Sequence, residues 1–304
     1  MKKITLLLLI TLSLFSCNSN KKTPKEKLHV VTTTSMITDI LHNIGGDLIQ
    51  VDGLMGTGVD PHLYKATEGD VSKLINADII FYNGLHLEGK LVAIFEKMKH
   101  QQIKTVALAN ILQKEALIDS DYFASNYDPH VWFDINNWKE VVQYATQELK
   151  KADPKNADAF EKNKDIYLKK LTLLATEIKQ IINTLPQEKR VLVTAHDAFS
   201  YFGKAYDFEV IGLQGISTAT EAGVQDVQRL ANLIIEKKVK AIFVESSVPK
   251  RTIEALQAAV TSKNHEVTIG GTLYSDALGN PDTKEGTYTG MFLYNVNTIV
   301  NSLQ

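Results

Sequence analysis

From Leu28 onward, short apolar runs alternate with segments whose apolar residues recur every three or four positions. LHVVTTT (28–34), LIQVDGLM (48–55), ADIIFYNG (77–84) and KTVALAN (104–110) read as strands. Between them the pattern predicts a helix capped by Ser35 and closed by Gly45-Gly46, a short helix to Ala77 and a third through Lys99. The stretch GTGVDPHLYKAT (56–67) is a loop. Its GTG lacks the third glycine and the following helix of a dinucleotide fingerprint.

A long helical stretch follows. Pro154 stands at its start and Pro186 just past its end. Between them Tyr167, Leu171, Leu174, Ile178, Ile181 and Leu185 recur at spacings of 4, 3, 4, 3 and 4. A helix of about 30 residues spans roughly 45 Å, a length suited to bracing two lobes. The alternation then resumes. Strands are predicted at 190–196, 208–215, 239–246 and 266–274, with helices to Tyr206, at 224–238, from near Pro249 and around 287–302. The expected fold is α/β: two lobes of parallel sheet flanked by helices, residues 28–153 and 187–304, joined by one long rigid helix at 154–186. No residue-level repeat relates the two halves.

The N-terminus follows a different pattern. Lys2 and Lys3 precede an apolar run from Ile4 to Phe15, too short for a comfortable membrane span and suited to a signal peptide (1–16). It ends at Leu14-Phe15-Ser16-Cys17, which resembles the lipobox of bacterial lipoproteins, and Cys17 is the only cysteine of the 304 residues. Lipidation there would leave a polar tether (17–27) and an extracytoplasmic protein held on a membrane. Cleavage removes two lysines and takes the formal charge from −2 to −4, which argues against a nucleic-acid surface.

Three of the eight histidines sit in unusual company. His62 and His130 each close an Asp-Pro-His tripeptide in a loop, and His196 ends an apolar strand. Proline stiffens the backbone before the imidazole, and the aspartate can accept a ring N–H, as a ligating histidine needs. Open α/β sheets place ligands beyond the carboxyl ends of their strands, where His196 would stand. Asp276, after the strand at 266–274, is a fourth candidate. Three imidazoles and a carboxylate suit Zn²⁺, Mn²⁺ or Fe²⁺, and two donors from each lobe would clamp the ion between them.

GVDPHLY, DPHVWFD, TAHDAFSYFGKAY, LQGISTATEAGVQDV, AIFVESSVPKRTIEAL and GGTLYSDALG together resemble the metal-binding receptors of bacterial ABC importers for manganese, zinc and iron. The resemblance covers nearly the whole mature chain. It implies that His62, His130, His196 and Asp276 bind a divalent ion as cargo, that a membrane permease receives it, that the receptor is a monomer, and that it is not an enzyme. Zinc-dedicated members often carry a His-rich loop between the first two ligand motifs, but 101–129 contains no histidine. Many manganese-selective members have Glu at the position of His196. The set here is similar to the subgroup reported for both manganese and zinc. Monodentate Asp276 would give tetrahedral Zn²⁺; a bidentate one would add a fifth donor and tolerate Mn²⁺.

His29, His42, His86, His100 and His265 are expected to have no part in the site, His86 being the least certain because it follows a strand end. Glu245 is expected to support the site or cap a helix, not to bind metal. Trp132, Phe133 and Tyr201 are expected to pack the lobe contact. A metallohydrolase is the first rival reading, and it would need an open coordination position and a general base. A surface adhesin or scaffold is the second.

Overall fold

The computed structural model describes residues 27–120 and 123–304. The expected signal peptide, Cys17 and the tether up to residue 26 lie outside them. Strands β1 (Leu28–Thr32), β2 (Ile49–Gly53), β3 (Ile79–Tyr82) and β4 (Lys104–Ala107) pair in parallel in the order β2-β1-β3-β4. Strands β5 (Val191–His196) and β6 (Glu209–Gln214) form one parallel pair, and β7 (Ala241–Glu245) and β8 (Thr268–Leu273) another. Because β5 also runs beside β7, the order β6-β5-β7-β8 repeats that of the first sheet. The halves thus share a topology that their residues do not reveal.

Strand alternation explains how each sheet is covered on both faces. Val30, Ile79 and Phe81 point into one core and Val31 and Ile80 into another. In the second lobe Leu192 and Phe243 face inward, while Val193, Ile242 and Val244 face an outer cluster. Parallel strands buried on two faces read as continuous apolar runs, which is why they stand out in the sequence.

The helices are α1 (Ser35–Gly45), α2 (Glu68–Asn76), α3 (Val92–His100), α4 (Ile135–Ala152), α5 (Ala157–Ile182), α6 (Ser200–Tyr206), α7 (Val224–Glu236), α8 (Arg251–Thr261) and α9 (Tyr288–Leu303). α4 is missing from the sequence expectation. Its buried stripe Ile135, Trp138, Val141, Val142, Ala145 and Leu149 has helical spacing, a signal overshadowed by the Asp153-Pro154 boundary that ends it. The long helix α5 has 26 residues, about 39 Å. A single 3-10 turn at Pro154–Asn156 precedes it, so the regular α-helix is shorter than the 154–186 expected.

α5 packs on α1 and α4 of the first lobe and on α9 of the second. Its buried Phe160, Tyr167, Leu171, Leu174, Ile178 and Ile182 belong to one apolar cluster that also holds Ile37 and Ile40 from α1, and Phe202 and Phe292 from α6 and α9. A continuous core therefore crosses between the lobes. Phe133 lies 4.4 Å from Phe199, ring centre to ring centre, and Trp138 stacks on Tyr288 at 5.3 Å. Trp132 donates to Ser275 O (3.0 Å), and Tyr288 donates to Trp132 O (2.7 Å). Tyr201 donates to Asp128 O (2.9 Å), so Trp132, Phe133 and Tyr201 pack the lobe contact.

Ser35 does not cap α1. Thr34 holds the cap position without a side-chain bond, and the Ser35 hydroxyl accepts the N–H of Leu278 from the other lobe (2.8 Å). A tertiary partner has taken the group that the local pattern assigned to the helix end.

Candidate metal centre

Both Asp-Pro-His segments fold into the same local device. The Asp60 carboxylate accepts the backbone N–H of His62 (2.8 Å), and Asp128 accepts that of His130 (2.9 Å). Each is an aspartate-led turn with proline between, which pre-sets the chain direction at the imidazole. The two aspartates then diverge. Asp128 also accepts from the His130 ring at Nδ1 (2.7 Å), turning Nε2 away from the carboxylate. Asp60 gives its second oxygen to the Thr218 hydroxyl at 2.5 Å, so it holds the backbone of His62 and not its ring.

His196 is the last residue of β5, at the carboxyl edge beside the end of β7. Glu245, which ends β7, accepts the His196 backbone N–H (2.8 Å). Its other oxygen lies 2.5 Å from His196 Nδ1, off the direction of an aligned ring hydrogen bond, so this is a charge contact. Gly212 of β6 allows the close approach here; a Cβ would come within 2.5 Å of Asp197 N and 2.7 Å of His196 C. Asp276 follows β8, with Ser247 donating to its Oδ2 (3.3 Å).

The four side chains meet. His62, His130, His196 and Asp276 each offer one ligand atom, and these atoms lie within 4.8 Å of one another. His62 Nε2 is 3.2 Å from His130 Nε2, which is 3.5 Å from Asp276 Oδ1; His196 Nε2 is 3.4 Å from Asp276 Oδ2. Two donors held about 2.0–2.2 Å from one tetrahedral ion sit about 3.3–3.6 Å apart. These three spacings therefore match edges of a coordination shell. All four side chains are buried, and His196 Nε2 and Asp276 Oδ1 have no hydrogen-bond partner within the protein. Buried polar atoms without partners are costly, and a bound cation would satisfy both.

The charges are arranged unevenly. Burial lowers the His62 pKa to about 3, so this imidazole is neutral at any physiological pH. Burial also opposes charge on His130, but Asp128 and Asp276 outweigh it and lift the ring to about 9. His196 is likewise raised, with Glu245 and Asp276 overcoming its burial. Asp276 is held well below the usual carboxylate range: the imidazoles of His196 and His130 more than offset its desolvation. Without metal, the raised His130 and His196 rings carry positive charge beside the Asp276 carboxylate.

His86 is exposed, in a left-handed backbone conformation, with its ring edge-on to Phe123 at 6.1 Å; it is not among the four. His29 pairs with Asp52 (2.7 Å) far along the first sheet. Glu245, the acidic residue that closes the otherwise apolar strand β7, stands against His196 and supports the site, as its position at the strand end suggests.

A family model described as zinc-uptake complex component A, periplasmic, matches residues 30–302. The manganese-binding lipoprotein MntA of Bacillus subtilis is 47% identical over 299 residues, covering 98% of this chain and 97% of that one. The zinc-binding protein TroA of Treponema pallidum is 46% identical over 274 residues, 90% of this chain and 88% of that one. The solved structure of TroA superposes with a TM-score of 0.89, covering 91% of this chain and 99% of its own.

Proposed function

The chain belongs to the family of periplasmic zinc-uptake component A proteins, and from that membership we propose that it is the extracytoplasmic receptor of an ABC importer, binding one divalent transition metal ion between its lobes and delivering it to a membrane permease. His62, His130, His196 and Asp276 are the ligands in this reading, and Zn²⁺ or Mn²⁺ is the cargo. Cys17 carries the lipid that holds the receptor on its membrane, on the periplasmic side or at the cell surface, and the receptor acts as a monomer. The working units are lobes 28–153 and 187–304 and the link 154–186.

One observation carries the proposal: four buried donors, two from each side of the long helix, converge within 4.8 Å of one another. The donor set also bears on the rival readings. Four protein donors can fill a tetrahedral shell, whereas a hydrolytic metal keeps a position open for water. An adhesin would have no use for a buried imidazole such as His196, whose ring nitrogens lack hydrogen-bond partners. Zinc stands above manganese in intrinsic affinity, and both oxygens of Asp276 face imidazole nitrogens, so either coordination mode is within reach.

Calorimetric titration of chelator-stripped protein with Zn²⁺ and Mn²⁺ tests this. Tight one-to-one binding, abolished in His62→Ala and in Asp276→Ala, is the expected result. Binding weaker than about micromolar, near −8 kcal/mol, would remove the receptor reading.

A further inference from the structure

The segment GISTATEAG (215–223) between β6 and α7 contributes none of the four donors, yet it forms one wall beside them. Asp276 and its neighbours are tied to the first lobe at several points: Trp132 to Ser275 O, Leu278 N–H to Ser35, and Thr57 to Gly279 O (2.9 Å). The opposite wall, residues 215–223, is tied differently. Among the described residues, its one hydrogen bond to the first lobe is the Thr218 hydroxyl donating to Asp60 Oδ2. Asp60 is the same carboxylate whose Oδ1 fixes the backbone of His62. Thr218 is 8% exposed, so water does not readily replace that bond. A cavity of about 460 Å³ also lies beside the wall, lined by Gly215, Ser217 and Thr220 and by Ser120 and Phe123 of the first lobe, so packing there is sparse.

We propose that Thr218 is the latch of a one-sided gate, and that metal leaves when the 215–223 wall releases Asp60. This rests on the receptor reading above. Thr218 is a positioning residue: it touches no metal and acts through Asp60 on His62. The wall fastened by three bonds stays with the first lobe, and the wall fastened by one bond opens. A hydrogen bond to a half-buried carboxylate is among the stronger kinds, so its loss should shift the balance between closed and open by about tenfold or more.

The test is the rate at which a fluorescent chelator captures Zn²⁺ from the loaded protein. Thr218→Val should speed release about tenfold or more, and Thr218→Ser, which keeps the hydroxyl, should stay within about twofold of wild type. Thr57→Val removes one of several bonds on the other wall and should also stay within about twofold. A Thr218→Val rate matching wild type, or an equal acceleration by Thr57→Val, overturns the latch. Should Thr218→Val fail to fold, amide hydrogen exchange in the wild type decides: residues 215–223 gain protection on Zn²⁺ loading, and no gain refutes the gate. Wild-type protein that binds no Zn²⁺ would instead count against the receptor reading, which keeps the two failures apart.

Discussion

Asp128 does two jobs with one oxygen, receiving both the backbone N–H and the ring Nδ1 of His130. Asp128→Asn should therefore lower metal affinity by about 10–100-fold, the usual cost of losing a ligand's supporting carboxylate. The His130 ring should also move from about 9 back toward its ordinary value of 6.5. Affinity titrations against pH, by calorimetry, would show both effects. In the wild type the raised rings have a plain consequence. Metal needs neutral imidazoles, so with His130 and His196 as proposed ligands, binding at pH 7 should expel protons from both, roughly two per ion. Apparent affinity should keep rising as pH increases toward about 9, well beyond the 6.5 of a free imidazole. Calorimetry in buffers of different ionisation heat counts the protons; none released at pH 7 would contradict the charge pattern. The sign is opposite for the metal-free fold. His130, raised on folding, adds stability that is fully present below about 6.5 and lost as pH passes through about 9.

At the scale of elements, α5 matters most because it belongs to both lobes at once. Leu171 is fully buried midway along it, in the cluster that joins α1 to α9. Leu171→Ala should cost about 2–5 kcal/mol in urea unfolding through lost burial and the cavity left behind. Leu173, on the same helix but 71% exposed, should tolerate alanine within about 0.5 kcal/mol. Equal losses at the two positions would mean that α5 is not packed as described. The β5 and β7 ends show how elements build the centre: side-by-side strands set His196 and Glu245 against each other with no loop between.

For the whole molecule, the crossing core predicts rigid behaviour. Unfolding should be one cooperative transition, and Zn²⁺ at 100 times its dissociation constant should stabilise the fold by about 2.7 kcal/mol, seen as a raised melting midpoint. Structures with and without metal should superpose lobe on lobe within about 1 Å, with change confined to the 215–223 wall. A large rotation of one lobe against the other would show that α5 bends. Two separate melting transitions would show that the core is not shared.

Much of this could be read along the chain because the relevant forces are local. Parallel strands buried on both faces must be apolar runs, and an Asp-Pro-His turn needs only neighbouring residues, so strands and histidine loops stand out. The matching strand order of the two halves was invisible, since pairing depends on topology and not on residue identity. The stripe of α4 is regular, but the Asp153-Pro154 boundary that ends it is the stronger local signal. Other features depend on groups distant in sequence. Ser35 looked like a cap until Leu278 claimed its hydroxyl, and Asp60 looked like a ring partner until Thr218 took its free oxygen. Glu245 meets His196 across 49 positions. Local pattern chooses the elements and the kind of side chain at each loop. Which oxygen faces which nitrogen is decided only when the lobes close and every buried polar group must find a partner.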